Sequence, residues 1–271
     1  MYLEFYNLKE KPFNVTSDPN FLYMSSRHKE ALSALIYGIK ERKGFLEITG
    51  EVGTGKTTLC RALLNRLDSN TKAAFIFNSD LPEMQLLQAI STDLGLKVEK
   101  KTKIGIFNAL NAFLIEQLKK NNNVILILDE AQNLKPKVLE QLRMLSNLET
   151  EKEKLFQIIL VGQPELSDKL NSPDLRQIRQ RIGVRYHISP LKRDEVKDYI
   201  KHRLYIAGSK GNIEFSNEAV DKIYAYSNGI PRLINVVSDK ALLLGFVMGT
   251  YSIEDMIIEK SIDEIEGRVM V

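Results

Sequence analysis

Only one cysteine, Cys60, occurs in the 271 residues, so no disulfide framework can form within the chain, and Cys60 is expected simply to pack. Long apolar runs are missing too. The longest, Ala241 to Met248, falls far short of the roughly 20 residues a helix needs to cross a bilayer. Met1 to Lys11 has neither a basic start nor an apolar core, so no secretory signal is expected. These absences point to a reducing compartment, and the expected location is the cytoplasm. A strong charge of one sign is also lacking. The net charge is +3, and residues 191–271 hold 11 Lys and Arg against 13 Asp and Glu, with 27 against 22 before them. Neither part is basic enough to announce nucleic acid. The charged runs Lys97 to Lys103 and Glu149 to Lys154 read as solvated connections. No internal repeat or low-complexity linker is present. With 44% hydrophobic and 27% charged residues, the chain has the composition of a globular protein, long enough for one large domain and a smaller one.

What is present is a phosphate-binding pattern. Gly50-Glu51-Val52-Gly53-Thr54-Gly55-Lys56-Thr57 follows the apolar run Phe45 to Thr49 and precedes a helical pattern that begins near Thr58. That is the context which G-x-x-x-x-G-K-[ST] requires. Its glycines let the backbone curl so that successive N–H groups face phosphate oxygens, and the following helix adds the positive end of its dipole. Lys56 supplies a charge to the outer phosphates, and Thr57 a hydroxyl to a magnesium ion that bridges them. The expected ligands are a nucleoside triphosphate and magnesium, held by residues 50–57 and by Thr58 behind them.

Apolar strand-like runs alternate with helical patterns through the first 190 residues, the signature of a parallel sheet covered on both faces. The expected strands are Phe45 to Thr49, Ala73 to Phe77, Val124 to Leu128, Phe156 to Val161 and Arg185 to Ile188. A helix is expected from Pro136 to Leu148, with Val138, Leu142, Leu145 and Leu148 along one face. After Pro190 the strand signals stop. The segments Arg193 to Ala207, Ser216 to Tyr226, Pro231 to Met248 and Ser252 to Ile265 all carry helical spacing. The expected domains are therefore residues 1–190 and a small helical domain, residues 191–271.

Ligands of such a sheet bind at the carboxyl ends of its strands. The run Val124 to Leu128 ends in Asp129-Glu130, which places Asp129 to orient magnesium and Glu130 to take a proton from the attacking water. A helix cap is the alternative use of two such acids. Ile158 to Val161 leads through Gly162 to Gln163, whose amide suits sensing the terminal phosphate, or else satisfies a turn. Before the last strand come Arg176, Arg179 and Arg181. One of them is a candidate finger reaching the terminal phosphate of a neighbouring subunit, or all three form a solvated basic face. In Asn228-Gly229-Ile230-Pro231-Arg232, proline opens a helix and Arg232 opposes the dipole of its first turn. Pro231 and Arg232 are read as contacting the nucleotide when the helical domain closes, with an ordinary ion pair as the alternative.

Together these residues resemble the AAA+ superfamily of oligomeric ATPases. More narrowly, Phe5-Tyr6-Asn7-Leu8, Pro12-Phe13, Asp18 to Tyr23, His28 to Leu32, Leu142 to Thr150, Gly162 to Leu166 and Arg185-Tyr186-His187 are similar to the ATPase domain of the general secretion pathway protein A, or ExeA-like, family, which includes pilus-biogenesis ATPases. The resemblance implies an αβα sandwich with a five-stranded parallel sheet, the Gln163 strand lying between the strands of the loop and of Asp129, followed by an all-helical lid. It implies adenine as the base, with Phe13 and His28 near it. It also implies a homo-oligomer with shared sites that helps assemble a secretin or pilus apparatus from the inner face of the inner membrane. Gln163 stands where many relatives have asparagine, with the same amide one methylene further out. Family members often continue into a membrane span and a peptidoglycan-binding module, and neither is found here, so the expectation is either a fragment or a short homologue that acts through a partner. An AAA+ regulator of DNA transposition or replication is the rival reading, and a nucleotide-gated switch with little turnover a third.

Overall fold

The structure is a computed structural model that describes residues 1–77, 80–98, 102–147 and 154–268. Leu148, residues 149–153 of one charged run and residues 99–101 of the other lie outside the described residues. The described chain divides into two compact units, neither continuous in sequence.

One unit comprises Lys29–Gly50 and Leu59–Ile188. Its sheet has five parallel strands, β1 (Phe45–Gly50), β2 (Thr71–Ile76), β3 (Asn123–Leu128), β4 (Gln157–Gly162) and β5 (Ile182–Ile188). They are ordered β2-β3-β4-β1-β5, so the strand before Gln163 lies between those before the loop and before Asp129, as the resemblance implies. Leu128 is level with Leu160, and Thr49 with Gly162, so three central strands end along one edge. β1 and β4 are buried along their whole length. Burial on both faces is why such strands read as continuous apolar runs and not as alternation.

Boundaries at the sheet margins differ from those expected. β2 starts two residues earlier, at Thr71, and stops at Ile76, leaving Phe77 half exposed in a bend. β5 starts three residues earlier than expected, at Ile182, because its first half alternates in exposure and carries Gly183, which looks like a turn residue in sequence. The helix Pro136–Leu145 is capped by Ser146 and buries Val138, Leu142 and Leu145 as its period requires.

Two buried polar groups in this unit have specific partners. The Gln157 side chain donates to the carbonyls of Gly38 (3.0 Å) and Lys43 (2.9 Å) and accepts from Asn123 (2.6 Å), pinning the start of β4. Glu47, inside β1, pairs with Arg185 of β5 at 3.2 Å, and burial pushes its carboxyl above the usual range.

The other unit comprises Met1–His28, Glu51–Thr58 and Ser189–Val271. Its helices include Arg193–Ile206, Asn217–Ser227, Pro231–Met248 and Asp255–Ile265. It is not wholly helical: β6 (Glu214–Phe215) and β7 (Ser252–Ile253) form a parallel pair. Two residues per strand are too few to show any period, so this pair is invisible in the sequence.

Tyr2, Tyr6, Phe13 and Phe21 from the N-terminal segment share one core with Val196, Ile200, Ile234 and Leu242. Arg203 ties that segment down. Buried in the core, it donates to the carbonyls of Pro12 (2.5 Å) and Asn14 (2.9 Å) and to the Tyr199 hydroxyl (3.0 Å). Tyr199 in turn donates to Asn235 at 2.7 Å.

Candidate nucleotide site

The loop after β1 is shaped by its glycines. Gly53 and Gly55 have φ of +83° and +92°, the left-handed region that side chains disfavour. The Thr54 hydroxyl folds back on the Glu51 carbonyl at 2.8 Å, and so does the Lys56 ammonium at 2.9 Å. Lys56 is buried and opens the helix Lys56–Leu64, whose first N–H groups carry the positive end of its dipole. Thr57 and Thr58 follow in the first turn, half-buried, while Glu51 and Val52 are exposed.

Two elements of the same unit brace this loop. The Arg232 backbone N–H, at the start of Pro231–Met248, donates to the Gly53 carbonyl at 3.2 Å. The approach is close enough that a Cβ on Gly53 would lie 2.6 Å from the Arg232 Cβ. The Arg232 residue is exposed and Pro231 half-buried. His28 supports the loop through Thr54, whose carbonyl lies 3.0 Å from Nε2, with Nδ1 2.7 Å from the Ser25 hydroxyl. A carbonyl can only accept, so Nε2 carries the proton and Ser25 donates to Nδ1. Phe13 is buried in the core, edge-on to Phe215.

Burial holds the His28 pKa below its ordinary 6.5, partly offset by the Thr54 carbonyl and the Glu195 charge. The unfolded chain then takes up this proton at a higher pH than the folded chain does. Stability is therefore full above 6.5 and falls as pH drops below it. Thermal melts from about pH 7.5 to about pH 5 should show that decline, and a His28→Gln variant should show a flatter one.

At the carboxyl ends of β3 and β4 a second group of residues meets. Asp129 is buried, and one of its oxygens accepts the Glu130 backbone N–H at 2.9 Å. Glu130 is left-handed (φ 53°, ψ 37°) and its side chain does not cap the short turn that follows. Such a conformation costs a non-glycine residue about 1–2 kcal/mol. Instead the Glu130 carboxylate accepts from Gln132 (2.5 Å) and Gln163 (3.3 Å). Gln132 also accepts the Gln163 backbone N–H at 3.1 Å. Gln163 likewise leaves its helix uncapped. Gly162 makes room, since a Cβ there would lie 2.6 Å from the Gln132 Oε1. Lys169 holds the same turn by donating to the carbonyls of Gln132 and Leu134.

Gln132 does not stand out in the sequence. Its signal was an amide two residues after the paired acids, which carries no meaning until the fold brings β4 alongside. Gln132→Ala removes partners from both Glu130 and Gln163 and should lower kcat of the hydrolysis proposed below about tenfold with KM nearly unchanged.

The arginine cluster is spread out. Arg176 and Arg179 are exposed, and Arg179 donates to the Asn171 carbonyl at 3.1 Å. Arg181 is half-buried and donates to Asn147 and, at 3.2 Å, to the Ser146 hydroxyl. The loop by itself has the chemistry that suits a polyphosphate, positive-φ glycines beside a buried ammonium, and Thr57 and Asp129, each in its own unit, carry oxygens of the hard type that magnesium prefers.

Residues 39–170, which include the loop, Asp129, Glu130 and Gln163, match the AAA domain family. Over 268 residues, 98% of this chain, the sequence is 43% identical to general secretion pathway protein A of Aeromonas hydrophila. The chain belongs to the AAA+ P-loop ATPases. Within them it is related to general secretion pathway protein A, and it spans 49% of the length of that protein. Among solved structures, this AAA+ chain superposes on the Aeropyrum pernix ORC2 protein with a TM-score of 0.72 at 18% identity, covering 97% of this chain and 73% of that one. It superposes on the Thermotoga maritima RuvB Holliday junction branch migration motor with a TM-score of 0.57 at 22% identity, covering 88% of this chain and 68% of that one. At such identities the likeness is one of fold.

Proposed function

We propose that the chain hydrolyses ATP to ADP and phosphate and uses the cycle to drive assembly of a secretion or pilus apparatus in the bacterial envelope. The observation that carries the hydrolytic reading is the Glu130 carboxylate held by Gln132 and Gln163 at the carboxyl edge of the sheet. β1 runs to that same edge and continues directly into the loop. The relationship to general secretion pathway protein A supports the envelope role.

In this reading the loop N–H groups from Gly50 to Thr58 and the Lys56 ammonium bind the phosphates, while Thr57 and Asp129 hold magnesium. Bound magnesium neutralises charge on the outer phosphates. Glu130 takes a proton from the water that attacks the terminal phosphorus, as the bond to the bridging oxygen breaks. Gln163 orients that water, and Arg232 contributes charge to the phosphates. Arg181 or Arg179 of a neighbouring copy completes the site, so the working form is a homo-oligomer. The protein acts at the cytoplasmic face of the inner membrane with envelope proteins as partners. No helix among the described residues is long and apolar enough to cross a membrane itself.

The test is magnesium-dependent ATP hydrolysis by the wild type and by Lys56→Ala, with and without duplex DNA. The expected result is hydrolysis that falls at least about 100-fold in the variant and ignores DNA. Strong stimulation by DNA would favour a regulator of transposition or replication, and turnover independent of Lys56 would overturn the assignment of the loop.

A further inference from the structure

A groove of about 600 Å³ runs between the helix Arg193–Ile206 and the segment that leads into β6. Its floor is apolar: Ile200, Leu204, Ile213, Phe215 and Val220. One wall is a stripe of Lys197, Lys201 and Tyr205, spaced four residues apart and so on one helix face. Lys210 stands among the other lining residues, and Glu214 is the one acid in the lining. Tyr205 is 75% exposed, far more than a side chain placed for core packing. Lys197 is oriented by donating to Asn217 at 2.7 Å, which leaves its ammonium two further donors. This basic rim sits in a segment whose overall balance is acidic.

Among the described residues, the second edge of β6, the strand beside the groove, joins no further strand. β7 takes one side of β6, where the Glu214 N–H donates to Tyr251 and the Ser216 N–H to Ile253, both at 3.1 Å. Strand alternation turns the N–H and C=O of Phe215, between them, to the opposite side. An edge of this kind accepts a further strand, in which main-chain bonds supply affinity and pockets read alternate side chains.

We propose that this groove is a docking site for an extended, acidic segment of a partner protein. The segment adds along the second edge of β6, places alternate apolar side chains on the floor, and sets its carboxylates against Lys197, Lys201 and Lys210. An incoming strand offers both donors and acceptors to the edge, whereas a phosphodiester backbone offers acceptors only, so a peptide is the occupant and not a nucleic acid. This site is separate from the ATP reading and does not depend on it.

The test is selection of a displayed random heptapeptide library on the immobilised full chain, with the Lys201→Glu/Lys210→Glu variant in parallel. The expected enrichment is of acidic residues alternating with Val, Ile, Leu or Phe. A synthesised winner should bind the wild type at least about tenfold more tightly than the variant and slow amide exchange at Phe215. Both lysines are exposed, so the variant should keep its melting temperature and its ATP hydrolysis; if it does not fold, Lys201→Ala takes its place. Equal enrichment on wild type and variant, selection of basic sequences, or competition by an oligo(dT) strand better than by the acidic peptide would each overturn the proposal.

Discussion

Glu130→Gln is expected to lower ATP hydrolysis by about 100-fold or more while ATP remains bound. The substitution keeps the shape of the side chain but replaces a proton acceptor by an amide. Gln132 and Gln163 both donate to this carboxylate, so the neutral amide can preserve at most part of the network by offering its own oxygen. The left-handed backbone at position 130 is unchanged, since glutamine meets the same restriction there. The measurement is steady-state hydrolysis beside ATP retention on rapid filtration. Loss of binding together with turnover would assign Glu130 a structural part in the turn, and unchanged hydrolysis would remove it from the mechanism.

Gly229→Ala should cause the largest loss of stability. Gly229 has φ +75°, and a Cβ there would lie 2.0 Å from the Leu191 carbonyl oxygen. The neighbour is backbone and cannot rotate away. Leu191 is fixed in addition by its own N–H, which donates to the Gly229 carbonyl at 2.9 Å. The left-handed penalty and the overlap together amount to about 2–5 kcal/mol. For a unit of this size, that is a fall in melting temperature on the order of 10 °C. Circular dichroism melts give the magnitude, and amide exchange locates it. The helix that begins at Pro231 and carries the Arg232 contact to Gly53 should lose protection first. A melting temperature within about 2 °C of wild type would mean that the backbone separates at little cost.

The succession of strands and loops along the chain was legible for one reason. A strand buried on both faces is apolar along most of its length, with polar exceptions such as Glu47 paired inside, so polar residues grouped after it mark its exit at the carboxyl edge. Asp129-Glu130 after Leu128 and Gln163 after Gly162 stand out on that account, and the loop pattern is a local motif read without any partner. The edge strand β5 and the two-residue pair β6 and β7 were less legible, because their exposure breaks the period or their length forbids one. The residues that support the candidate site were the least legible. Gln132 looks like any exposed amide until β4 lies beside it, and Arg203 looks like a solvated helix residue although it is buried and holds Pro12 and Asn14.

By itself the sequence determined the glycine-rich loop between strand and helix, the apolar strands that the acids follow, and the four long helices within residues 193–265, because each depends on neighbours within a few positions. Tertiary structure alone decided the strand order, the Glu130–Gln132–Gln163 network, the clamp between Gly229 and Leu191, and the basic groove beside β6. Each of these joins groups from separate elements. Sequence periodicity records which residues are buried, while the contact each one makes is set by how the layers pack.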